Sequence, residues 1–145
     1  MQRIYIVGQD HVMDMYPTVE PWLRKMAKWT DGRRNEEDIV KRLLTGQANL
    51  WITLDALGKP NGALVSTIEV YPRMRMLHVL HCAGEKNQMD GVADQMYDAL
   101  DKFAQYNHCS GIEFVGRLGW KKHVEPRGYK SKAVIYERRF SEVTQ

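Results

Sequence analysis

The sequence predicts an α/β fold of the α+β kind: an antiparallel meander followed by a β-α-β unit, giving one mixed sheet with helices on both faces. Three observations predict it. The apolar period is helical between Pro17 and Gly46 and becomes strand-like from Asn49 onward. Turn-forming stretches, Gly58-Lys59-Pro60-Asn61-Gly62 and Tyr71-Pro72-Arg73, separate three consecutive β-rich runs. A long amphipathic helix pattern then stands between two strand patterns, the arrangement that makes those strands parallel with a right-handed crossover.

Taken in order, Arg3 to Gly8 alternates branched and aromatic residues and ends in glycine, which predicts a short first strand. From Pro17 to Trp29 the residues Val19, Trp22, Leu23, Met26 and Trp29 recur every three or four positions, predicting a helix with one buried face. Asn35-Glu36-Glu37-Asp38 supplies an N-cap and first-turn negative charge for a second helix, which Gly46 stops. Asn49 to Ala56 and Gly62 to Tyr71 form a hairpin, and Arg75 to Ala83 adds a third strand. Gln88 to Tyr106 carries the longest helix stripe, with Met89, Val92, Met96, Leu100 and Phe103. A strand over Gly111 to Gly116, a short helix over Trp120 to Glu125 and a closing strand over Lys132 to Phe140 complete the chain. Trp22, Trp29 and Trp51 fall on apolar stripes and are expected in the core.

The 145 residues, 43% of them hydrophobic, suit one domain over 1–145 that buries its own core without metal or disulfides. No apolar run approaches the roughly 20 residues of a membrane helix, and the start Met1-Gln2-Arg3-Ile4-Tyr5 lacks the features of a secretion leader. A soluble, cytoplasmic protein without membrane contact is therefore expected. Cys82 and Cys109 share no ligand spacing with each other or with histidine, so two buried free thiols and no metal site are expected.

The net charge of +3 is unevenly spread. Residues 117–139 hold eight basic and two acidic side chains, a local +6, which leaves −3 for the rest. Such a basic end suits an anionic ligand or a solvated surface equally. Nucleic acid is an unlikely partner, because no helix-turn-helix or RNP signature accompanies it.

The element order resembles the GCN5-related N-acetyltransferase (GNAT) fold over nearly the whole chain. Gly116-Arg117-Leu118-Gly119-Trp120, then Arg127-Gly128-Tyr129 and a basic C-terminal strand, is similar to small GNAT-like proteins of tailed phages. The resemblance implies acetyl transfer from acetyl-CoA to an amine acceptor. Its alternative is an inactive phage protein with virion proteins as partners, located in the host cytoplasm or on the virion.

In the family, acyl-CoA lies where two parallel strands diverge, and its pyrophosphate rests at the N-terminus of the following helix. The matching stretch here is Cys82-Ala83-Gly84-Glu85-Lys86-Asn87-Gln88-Met89-Asp90-Gly91, and it lacks the family's doubled glycine. Cys82, Gly84, Lys86 and Asn87 are the cofactor-binding candidates there. Gly84 equally ends a strand, and Asp90 favours a helix dipole. Arg117, at the carboxyl end of the parallel strand, is a fifth candidate or a turn-fixing ion pair. For a general base the sequence offers Glu69, His78 and His81. Strict alternation puts His78 with Met76, Leu80 and Cys82, and His81 with Leu77, Val79 and Ala83, so the choice between them stays open. The family's acid, a tyrosine four residues before the Gly-Tyr turn, is replaced by Val124, with His123 beside it.

Overall fold

In the computed structural model, which describes residues 1–141, five strands form one mixed sheet in the order β1-β2-β3-β4-β5. They are β1 (Ile4–Val7), β2 (Asn49–Leu54), β3 (Pro60–Val70), β4 (Arg75–Gly84) and β5 (Gly111–Phe114). The first three pairings are antiparallel and β4 pairs with β5 in parallel. The helices are α1 (Val12–Trp29), α2 (Glu36–Leu44), α3 (Ala93–Tyr106) and the single turn α4 (Lys121–Val124).

Alternation along the strands feeds two cores. Val7, Leu50, Ile52, Ala63, Val65 and Ala83 pack against Val19, Trp22, Leu23 and Met26 of α1 and Ile39 and Leu43 of α2. On the other face Ile4, Trp51, Leu64 and Leu77 meet Met96, Leu100 and Ala104 of α3. The capping box expected at Asn35 is formed: its side chain accepts from the Asp38 N–H, and the Asp38 carboxylate accepts from the Asn35 N–H.

Four sequence expectations are corrected. Helix α1 starts five residues before Pro17 and contains both Pro17 and Pro21. The prolines stand four apart on the exposed side, where water can satisfy the carbonyls their missing N–H groups leave unpaired. Helix α3 starts at Ala93, not Gln88, because Asn87 (φ 66°) and Gly91 (φ 71°) adopt left-handed conformations that break the stripe into turns. Trp29 is 44% exposed and lies outside the core, at the very end of α1.

The closing strand over Lys132 to Phe140 is absent. Strand propensity needs a neighbouring ladder, and this segment pairs with none of the sheet's strands. Instead it reaches the turn between α1 and α2, where Arg33 pairs with Glu137 and Arg139 pairs with Asp31 and Glu137.

Candidate functional site

Strands β4 and β5 are paired only from Met76 opposite Gly111 to Val79 opposite Phe114. Beyond that point β4 runs on to Gly84 while the chain after Phe114 turns away, so a cleft opens between them. It measures about 420 Å³, and its walls are mainly apolar. Met96, Tyr97 and Leu100 of α3 form one side, Trp29 to Arg34 another, and Val115 to Arg117 with Tyr129 a third.

A bulge in the β3–β4 ladder changes the facing of the two histidines from that of strict alternation. Val65 pairs with His81 and Ser66 with Val79, so Leu80 has no opposing residue on β3. The extra residue shifts the side-chain phase by one. Val65 belongs to the α1 core, which puts its partner His81 on that face. His78 pairs with Thr67, two residues on from Val65, and shares the same face. Both histidines line the cleft, against the expectation that they point apart.

His78 stands beside a carboxylate. Its Nδ1 is buried and makes no hydrogen bond of good geometry, and Glu113 Oε1 lies 3.4 Å away. That same oxygen accepts a 2.5 Å hydrogen bond from the Tyr71 hydroxyl. The bond, and then burial, hold the Tyr71 phenol above its ordinary range. The parallel register places Glu113 opposite His78, so the pairing follows from the sheet itself. His81 meets the Trp29 ring at 6.4 Å, and burial followed by the nearby Arg34 pushes its pKa below the ordinary value. The shift favours the neutral ring at pH 7. Glu69 accepts a 2.9 Å hydrogen bond from Thr67 Oγ1 and does not line the cleft.

The cofactor candidates divide into two places. Cys82 lines the cleft, and burial raises its thiol to about 11. Both cysteines are free and half-buried. Gly84, the last residue of β4, and Lys86 and Asn87 in the turns that follow it lie outside the cleft. Gly84 and Gly62 together make room for the Gln88 side chain, which a Cβ at either position would strike. Gln88 Nε2 donates to Thr53 Oγ1 at 3.0 Å and so closes the turn against the sheet. Arg117 stands across the cleft, its guanidinium over the Trp29 ring at 5.1 Å.

Helix α3 begins without a side-chain cap, so the N–H groups of Ala93, Asp94 and Gln95 find no partner within the helix. Arg3 reaches the same end of the sheet through bonds to the carbonyls of Leu54 and Asp90. An acyl-CoA would fit these features. The edge of β4 between Leu80 and Gly84 suits the amides of its pantetheine arm, and the first turn of α3 with Lys86 suits its phosphates. Among the described residues no cluster of side chains suits a metal ion.

Sequence reasoning missed Trp29, Arg34 and Tyr129 of the cleft and Glu113 beside His78. Trp29 was expected in the core and Tyr129 in a turn, and no motif singled out Arg34 or Glu113. Tyr129 packs against Phe114 and Tyr97, at ring separations of 5.6 and 6.1 Å, and burial pushes its phenol up to about 12. Val124, in the family tyrosine's place, is a buried part of the cleft wall.

No family model and no curated protein sequence matches the chain. Solved structures do. A ribosomal-protein-alanine N-acetyltransferase from Brucella melitensis is 19% identical, with a TM-score of 0.64 over 94% of this chain and 99% of that one. Glucosamine-6-phosphate N-acetyltransferase from Arabidopsis thaliana is 11% identical, with a TM-score of 0.65 over 96% and 98%. An aminoglycoside acetyltransferase from an uncultured soil metagenomic sample, solved with sisomicin, is 11% identical, with a TM-score of 0.67 over 96% of each chain. The five-stranded mixed sheet, its helices on both faces and the gap between β4 and β5 are thus those of the GNAT fold, which this chain shares with acetyltransferases across nearly its whole length.

Proposed function

We propose that the protein is an N-acyltransferase that moves an acetyl group from acetyl-CoA to an amine. The observation that carries this reading is the apolar cleft between the diverging strands, bordered by an unpaired stretch of β4 and two histidines. Bound acetyl-CoA would supply a thioester carbonyl carbon as the acyl donor. The chain's own residues then handle two protons. As the C–N bond forms the amine nitrogen must lose one, and as the C–S bond breaks the sulfur must gain one.

His78 is the residue to accept the first. Its ring lines the cleft, and Glu113 beside Nδ1 stabilises the imidazolium that protonation creates. Neutral His81 adds a second acceptor on the same face. Tyr129 holds a proton on the cleft wall, where burial keeps the phenol intact at working pH. The apolar walls exclude water that would otherwise hydrolyse the thioester.

A second reading keeps the fold without the chemistry, as a binding or structural component such as one carried by a phage particle. Val124 in place of the family tyrosine favours it. Calorimetric titration with acetyl-CoA tests the first reading, with saturable binding, a raised Tm and thiol release with an amine as the expected result. Absence of both heat and stabilisation at millimolar acetyl-CoA overturns it. If transfer occurs, His78→Ala lowers kcat/KM by about 100-fold, the ordinary scale of general-base loss.

A further inference from the structure

The charges that line the cleft all have one sign. Arg33, Arg34 and Arg117 border it together with His78 and His81, and no carboxylate does so among the described residues. Arg33 is engaged by Glu137 of the C-terminal segment. Arg34 and Arg117 form no ion pair among the described residues. Two unneutralised guanidinium groups beside an apolar cavity are complementary to an anion, and the planar fork of arginine suits carboxylate and phosphate oxygens.

They stand on other elements than the one suited to the phosphates of an acyl donor. Arg34 follows α1, and Arg117 is held over Trp29, the last residue of α1. The uncapped N-terminus suited to phosphates belongs to α3, on the opposite face of the sheet. The aromatic contact also restrains Arg117 before any ligand arrives, which lowers the cost of ordering it on binding.

We propose that the acceptor carries an anionic group, a carboxylate or a phosphate, near the amine that is acylated, and that Arg34 and Arg117 bind that group beside Trp29. The proposal rests on the acyltransferase reading for the word acceptor, while the anion site itself does not depend on it. The same cations ease the chemistry. A positive surrounding disfavours the ammonium form, so a larger share of the bound acceptor is the neutral amine that attacks.

The source of the anion decides the test, since the phosphates of the acyl donor share this chemistry. Calorimetry with inorganic phosphate and, separately, with acetyl-CoA is run on the wild-type protein, on Arg117→Lys and on the double variant R34Q/R117Q. All three should keep the same Tm, because both arginines lie at the surface of the cleft and outside the two cores. The expected result is phosphate binding weakened at least tenfold in the double variant, retained within about threefold in Arg117→Lys, and acetyl-CoA affinity unchanged throughout. An equal fall in acetyl-CoA affinity assigns the cations to the donor and overturns the proposal. Absence of phosphate binding by the wild-type protein overturns it too. Phosphate binding that depends on both arginines, in a protein without affinity for acetyl-CoA, sinks the acyltransferase reading and the acceptor role while leaving the anion site standing.

Discussion

In residues 1–114 most large apolar side chains face inward from both sides of the sheet, whereas in residues 115–141 most of them face water. Leu77 is fully buried between β4 and α3, while Leu118 and Tyr136 are each 91% exposed. Val124 is the single buried residue among those described after Phe114. The second region is attached by ring contacts of Tyr129 and Trp120 with Phe114 and, along most of its length, by charge. Arg127 bonds Asp98 at 2.7 Å and lies over Tyr97 at 5.0 Å, and Arg139 and Glu137 engage the turn after α1. One part of the chain is thus held by burial and the other chiefly by exposed ion pairs and a few ring contacts, and residues of both line the cleft. Each part has its own energy scale, so each should fail under different conditions.

The largest effect belongs to the body. Leu77→Ala removes a fully buried side chain and should cost about 2–5 kcal/mol, read from denaturant midpoints. A loss below about 1 kcal/mol would mean that the body is no better packed than the C-terminal region. Next comes the buried amide of Gln88. Gln88→Ala strands the Thr53 hydroxyl contact and empties the space between Gly62 and Gly84, for a cost of about 1–3 kcal/mol. Denaturation at constant pH measures it, and a neutral result would show that the turn needs no such closure.

The smallest stability change should come from the exposed pairs. Glu137→Gln removes the charge that pairs with Arg33 and Arg139 and should move the denaturant midpoint least of the three variants. That difference should vanish in about 1 M salt, where screening acts over only a few ångströms. A salt-independent loss would place the C-terminal region with the body. Acid offers a further contrast within the cleft. His81 titrates below its ordinary 6.5 because it is partly buried and faces Arg34, so the unfolded chain binds its proton first. Its contribution to stability is complete above the ordinary value and is lost as pH falls through the folded one. Thermal melts at pH 7 and pH 5 should therefore show a smaller drop in Tm for His81→Asn than for the wild-type protein.

Most of the body was legible in the sequence, because its elements follow one period each. Val19, Trp22, Leu23 and Met26 announce α1, and Asn35 with Asp38 announces the start of α2. The misreadings occur where a backbone event leaves the apolar pattern intact. Met89 packs on the α3 side and Val92 is fully buried, as a helix stripe would require, yet positive φ at Asn87 and Gly91 makes their segment a series of turns. Lys132 to Phe140 has the branched and aromatic residues of a strand, but residue type does not reveal whether a neighbour exists to pair with it. At the site, Cys82, His78, His81 and Arg117 were found from the element order and its family resemblance. Glu113 was not, since only the parallel register brings it opposite His78. Trp29 was read as core because a helix stripe does not show where the layer beneath it ends.

The single unpaired residue at Leu80 acts as a half-period offset in the chain's alternating code. Without it, the side chains on one side of that point would exchange faces, and the two histidines would lie on opposite faces of the sheet. Shortening β4 by that one residue would change no functional group, yet it would separate His78 from His81 by the thickness of the sheet. The pairing of these two rings is thus written in a count of residues, and no comparison of residue identities alone would reveal its loss.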